Sequence, residues 1–138
     1  MKGDVLEKMV DVATRAMKYS NIGAKKSIGA AVLGSSGKIY GGTCLISIPQ
    51  DYCAERVALL KAVSSGEKKI ESVLVTWYDK KGKKSDKVGG PCGICLNALW
   101  QLSNNPNLNI ILYSLTTKKP IERKIRDFYP YPYTQRIK

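Results

Sequence analysis

Two short motifs, Cys53-Ala54-Glu55 and Pro91-Cys92-Gly93-Ile94-Cys95, stand in a chain that contains no histidine, and a fold that unites them creates a sulfur-rich cluster. Cys92 and Cys95 are three residues apart, so one helical turn points both thiols the same way, with Gly93 leaving that turn uncluttered. Cys53 must reach them from a second element. Without imidazole, a metal here is bound by sulfur and oxygen only, and Ser-His or Cys-His catalysis is excluded. Zn²⁺ held by three protein thiolates keeps one position for water, which separates catalytic from structural zinc. Glu55 is the only carboxylate inside either motif. Beside that water it can take a proton and deliver it to a leaving amine, which points to hydrolysis at an amidine-like carbon.

Each of these residues also has a plainer role open to it. Cys44 could complete a closed four-sulfur structural site, or pack as a small buried hydrophobe. Glu55 could be a first-turn glutamate favoured by the helix dipole. Arg56 could hydrogen-bond to sulfur and moderate the negative charge of three thiolates, or be solvated.

The spacing of Val5, Leu6, Met9, Val10, Ala13, Ala16 and Met17 predicts an amphipathic first helix, capped by Asp4 and ending near Gly23. Ile28 to Leu33 and Ile39 to Ser47 read as strands joined through Gly34-Ser35-Ser36-Gly37. A helix from Cys53 to Ser65 closes at Gly66, a third strand spans Ile70 to Tyr78, and a helix from about Gly93 to Leu102 ends at Asn104-Asn105-Pro106. Leu108 to Leu115 forms a fourth strand, and a short helix or turn falls near Ile121 to Asp127. Cys53 and Cys92 each begin a helix, where free N–H groups favour thiolate over thiol. The order α-β-β-α-β-α-β predicts an α/β fold, a mixed β-sheet covered by helices on both faces. Trp77 and Trp100 are expected in the core.

At 138 residues the expectation is a single domain, 1–138. No apolar run is long enough to span a bilayer and no leader is evident, so no membrane association and a cytoplasmic address are expected. In a reducing compartment the CxxC spacing favours metal over disulfides. The net charge of +12 creates a positive field, concentrated at Lys80-Lys81-Gly82-Lys83-Lys84 with Lys87. Aromatics are not interleaved with these lysines, so a nucleic-acid partner is possible but not favoured.

Cys53-x-Glu55 with Pro91-Cys92-x-x-Cys95 is a signature of zinc deaminases in which the first ligand is a cysteine. With Gly29-Ala30-Ala31, Gly41-Gly42 and Arg56, it makes the sequence resemble the cytidine deaminase family, in particular its small free-nucleoside enzymes with three-cysteine zinc sites. The resemblance implies a three-layer cytidine-deaminase-like fold and hydrolytic release of ammonia from a cytosine nucleoside. It implies Cys53, Cys92 and Cys95 as zinc ligands and Glu55 as proton shuttle. The backbone at Ala54 and the carbonyl of Pro91 would contact the base and the departing ammonia. It also implies a homo-oligomer, by resemblance a tetramer. Phe128-Tyr129-Pro130 with Tyr133 is similar to a C-terminal segment that closes over a neighbouring subunit's pocket, making Tyr133 a candidate lid; Tyr129, Tyr131 and Tyr133 equally suit a tail packed on its own surface.

The chain departs from the family at the sugar. Where cytidine deaminases carry Asn-x-Glu to hold the ribose hydroxyls, Cys44-Leu45-Ile46-Ser47 stands, so Cys44 and Ile46 are the candidate substrate contacts. The stacking phenylalanine falls at about Lys26. The interval from Gly42 to Cys53 is similar to that of blasticidin S deaminase, which implies an altered sugar pocket and a blasticidin-type substrate as an alternative. Polynucleotide deamination and a non-catalytic zinc protein are the further alternatives.

Overall fold

β1 (Ile28–Gly34) is buried along most of its length, which is why its sequence runs apolar instead of alternating. It is central to three antiparallel strands, between β2 (Ile39–Thr43) and β3 (Ile70–Trp77). Ala31 lies opposite Gly41 in β2 and Leu74 in β3. β4 (Asn109–Ser114) runs parallel to β3, and β5 (Pro120–Lys124) runs antiparallel to β4, giving a mixed sheet of order β2-β1-β3-β4-β5. The computed structural model describes residues 3–22, 28–77 and 89–133.

Alternate residues of the strands go to opposite faces, and both faces are covered. Ala31, Leu74 and Ile111 pack with Met9 and Ala13 of α1 (Gly3–Ala16). Ala30, Val32, Val73, Val75 and Ile110 pack with residues of α2 (Ala54–Ser64) and α3 (Gly93–Leu102), Leu59 and Leu99 among them. These are the helix–sheet–helix layers expected from the element order. Among the described residues, no helix is long and apolar enough to cross a membrane.

α2 is fixed at both ends. At its carboxyl end Gly66 adopts a φ of 98°, a conformation glycine adopts without a Cβ penalty. Its N–H donates to the Val63 carbonyl and that of Glu67 to the Ala62 carbonyl, both at 3.1 Å, the paired bonds of a Schellman cap. The Glu67 carboxylate then accepts from the Ser36 backbone at 3.1 Å, the Ser36 hydroxyl and the Tyr40 hydroxyl at 2.7 Å, tying α2 to the β1–β2 hairpin. At its amino end α2 lies directly on β2: a Cβ at Gly42 would stand 2.5 Å from both the Ala54 carbonyl oxygen and the Ala58 nitrogen.

Four expectations need correction. β2 stops at Thr43, not Ser47, because Gly29↔Thr43 is already next to the start of β1 at Ile28 and leaves no partner strand beyond it. The stretch near Ile121 is strand β5 followed by one turn of helix, α4 (Ile125–Phe128); all five β5 residues are exposed, so no alternation announces the strand. Asp4 lies inside the first turn of α1 and does not cap it. Trp100 is buried, but Trp77, the last residue of β3, is 40% exposed beside Gly89. Gly23, Lys26, Tyr78, Lys80–Lys84 and Lys87 lie outside the described residues.

Candidate metal centre

Cys53 and Cys92 are the residues immediately before α2 and α3, both in extended backbone conformation with φ of −75° and −67°. Each therefore stands over the free N–H groups of a helix start. Cys95 follows one turn into α3 and is fully buried. The three Sγ atoms lie within 4.8 Å of one another, and Cys53 and Cys92 are 3.8 Å apart. Thiolates at about 2.3 Å around a tetrahedral zinc ion stand roughly 3.8 Å from one another, so the sulfur cluster has the size that zinc requires. All three thiols are free of disulfides. Cys44 is not part of the cluster. Half-buried, it packs against the α2–α3 core, so the closed four-sulfur alternative is not what the fold builds.

The thiols differ in their proton affinity. Burial pushes Cys53 up, against the lowering influence of the Arg56 guanidinium, so a place at a helix start does not suffice to favour its thiolate. At Cys92 burial acts in the same direction, but the backbone N–H groups of Cys95 and Ile94 and the neighbouring thiols outweigh it and bring the group below its ordinary value. Cys95 is held well above its ordinary value by burial first and the Glu55 charge second. A divalent cation reverses such penalties by taking the thiolates as ligands.

Glu55 is 5% exposed in the first turn of α2. Burial raises its carboxyl above the usual range, opposed by its own backbone N–H and by Arg56. Its neighbour Arg56 donates to the Asp51 carbonyl at 2.9 Å, reaches the Cys53 sulfur at 3.9 Å, and lies over the Tyr52 ring at 5.8 Å. The Arg56 side chain is thus directed at sulfur, not at solvent. Ala54 and Pro91, the residues flanking the cysteines, are buried. Above Gly93 nothing lies within 4 Å of where a Cβ would stand, so the surface beside Cys92 is open.

The structure places Cys44 and Ile46 on an extended segment that runs past the start of α2. Leu45 exchanges both backbone hydrogen bonds with Tyr52, at 3.0 and 2.8 Å, one residue before Cys53. Ile46 is 48% exposed. Tyr133 is tied through its backbone: its carbonyl accepts from Gln101 at 3.2 Å and its N–H donates to the Tyr129 hydroxyl, which donates in turn to Asn97. The tail from Tyr129 to Tyr133 is thereby tied to α3 of its own chain. Sequence reasoning missed Ser20, Asn21 and Tyr52, which hold the Cys44–Ile46 segment; polar residues after a helix read as a loop, and no local spacing reports a partner 25 residues away.

Residues 4–108 match the sequence profile of the cytidine and deoxycytidylate deaminase zinc-binding region. A probable cytidine deaminase of Dictyostelium discoideum is 36% identical over 98 residues, covering 69% of this chain, and the chain spans 63% of that relative's length. A blasticidin-S deaminase of Bacillus cereus is 24% identical over 131 residues, covering 92% of this chain and 91% of the relative. The crystal structure of a cytidine deaminase from Burkholderia pseudomallei superposes with a TM-score of 0.78 at 20% identity, covering 96% of this chain and 100% of the other, and shares the fold. The matched stretch includes both cysteine motifs described above, and this chain belongs to the cytidine and deoxycytidylate deaminase family.

Proposed function

We propose that the chain is a zinc-dependent hydrolase that deaminates cytidine, deoxycytidine or a closely related cytosine nucleoside to the uracil form, releasing ammonia. The observation that carries this is the meeting of three free thiols at zinc-ligand spacing, from the starts of α2 and α3, with a buried carboxyl in the first turn of α2. Cys53, Cys92 and Cys95 hold the Zn²⁺, which supplies water acidified toward neutrality and a positive charge where the reaction develops negative charge. Glu55 takes a proton from the attacking water and passes it to the 4-amino nitrogen, which leaves as ammonia while C4 gains oxygen. A carboxyl shifted upward by burial suits both directions of that transfer. The Ala54 N–H and the Pro91 carbonyl orient the base, and Arg56 offsets thiolate charge through Cys53.

A homo-oligomer is supported by an exposed apolar set: Tyr19 at 77%, Ile48 at 98%, and Leu45, Ile46 and Tyr52. Large apolar side chains left exposed in this number within residues 45–52 suit contact with another chain, and sedimentation at two concentrations reads it. A reducing compartment such as the cytoplasm keeps the three thiols available.

The deciding test is Glu55→Gln, with zinc content and ammonia release measured on the same sample, using cytidine, deoxycytidine, blasticidin S and a cytosine oligonucleotide. Full zinc with turnover down about 10²–10⁴-fold is expected, with activity on free nucleosides. Undiminished turnover, or ammonia from the oligonucleotide alone, would overturn the assignment.

A further inference from the structure

We propose that Asn21 is a positioning residue that fixes the substrate-side wall of the site by acting as a one-residue strand. This rests on the function proposed above and on the reading of Cys44 and Ile46 as substrate contacts, which together make Cys44–Ile46 the substrate-side wall. Consecutive residues of an extended segment send their backbone groups to opposite sides, and this segment is held on both. On one side Leu45 pairs with Tyr52. On the other, the Asn21 carboxamide donates to the Ile46 carbonyl at 2.6 Å and accepts from the Ile46 N–H at 2.8 Å. Those are the two bonds an adjacent strand would supply. The Ser20 hydroxyl adds a bond to the Cys44 carbonyl at 2.9 Å.

Ser20 and Asn21 are well anchored for this task. The Ser20 N–H donates to Met17 at the close of the first helical segment, and Met17 is buried. The Leu45–Tyr52 pairing, by contrast, is an isolated bridge with no ladder on either side; Ser47, which donates to the Asp51 carboxylate at 3.3 Å and the Gln50 carbonyl at 2.6 Å, ties the turn beyond it but not the Cys44–Ile46 side that Ser20 and Asn21 hold. Tyr52 lies against Arg56, and Arg56 reaches Cys53. Contacts therefore run without a gap from Asn21 through the wall to the metal cluster, and both ends of the Asn21 amide are already engaged with the Ile46 backbone.

Asn21→Ala and Asn21→Asp test this by two independent readouts, amide hydrogen exchange and steady-state kinetics with zinc quantified. In wild type the Ile46 and Tyr52 amides, both hydrogen-bonded, should be protected. In Asn21→Ala both should exchange at least about tenfold faster, while the strands of the sheet keep their protection. KM for the nucleoside should rise about tenfold, because only the fraction of molecules with an ordered wall binds well, with kcat and zinc content close to wild type. Asn21→Asp keeps the acceptor for Ile46 N–H and loses the donor, so it should retain Ile46 protection and show a smaller rise in KM. Unchanged exchange at Ile46 and Tyr52 in Asn21→Ala refutes the clamp. Faster exchange with unchanged KM, or a parallel fall in zinc and kcat, refutes the positioning role. Absence of wild-type turnover on every cytosine nucleoside would instead remove the proposed function, with the exchange result still deciding the clamp.

Discussion

Replacing Gly42 with alanine should loosen the metal centre from behind. The added Cβ would stand 2.5 Å from the Ala54 carbonyl oxygen and from the Ala58 nitrogen, where ordinary contact begins at 3.4 Å, so strand and helix must part by about 0.9 Å. Both obstacles are backbone of α2, which cannot rotate away as a side chain would. Overpacking of this kind costs about 1–3 kcal/mol, or roughly 4–12 °C in Tm for a chain of this size. The cluster should be more sensitive than the fold, because Cys53 immediately precedes α2 and zinc–ligand distances tolerate only about 0.2 Å. We expect zinc affinity to fall about 10–100-fold, read by competition with a chromogenic chelator, with the Tm of the zinc-free protein measured in parallel. Gly41→Ala is the control. Its Cβ would face α1, meeting the movable Val12 Cγ1 at 2.8 Å and the Val12 carbonyl at 3.3 Å, so it should lower Tm and leave zinc affinity near wild type. Native zinc affinity in Gly42→Ala would show that the helix start does not set the position of Cys53.

Removing zinc with a chelator should destabilise the fold, since an ion bound only by the native state adds about 4 kcal/mol at a free concentration a thousand times Kd; a melting curve that ignores both chelator and added zinc would contradict this. In the zinc-free protein, burial holds the Glu55 carboxyl above its ordinary value, so the folded state keeps this proton to higher pH than the unfolded chain. That contribution is complete below the ordinary carboxylate range and is lost as pH rises through the raised value. Glu55→Gln removes it, and urea melts should show the variant gaining on wild type from acid to neutral pH; an advantage independent of pH would refute the assignment of burial as the cause.

How legible each element was depends on whether its determinants are local. α3 is readable from Gly93 to Leu102 because Cys92 stands at its start and Asn104, with a φ of 53°, stops it. The hairpin is readable because Gly37, at a φ of 92°, announces the turn. The zinc ligands are readable for a chemical reason, since without histidine only the thiols of two motifs remain. β5 is different. Its five residues are all exposed, and it is a strand only because β4 offers an edge, from Asn109↔Lys124 to Tyr113↔Pro120. Trp77 was misplaced for a related reason: its chemistry suits a core, but it sits at the last position of β3, where it is left 40% exposed. The segment Cys44–Ile46 reads as strand because apolar residues at strand spacing look alike whether their backbone partner is β1 or the side chain of Asn21.

The burial of the cluster runs from one side to the other, and the proposed chemistry needs that asymmetry. Cys95 is sealed, Cys53 is half-buried and Cys92 is exposed, while Glu55 is nearly as closed off as Cys95. A carboxyl open to water on every side would rest at its ordinary value, without the upward shift that suits it to give as well as take a proton. A cluster sealed on every side would admit no nucleoside. Placing Glu55 and Cys95 within α2 and α3, with Cys92 at the open mouth beside Gly93, satisfies both requirements using the first turns of two helices. The segment from Cys44 to Ile46 is joined to the start of α2 through the Leu45–Tyr52 bridge and lies half-buried to exposed, where packing contributes little and a hydrogen-bond partner such as Asn21 contributes most to its order.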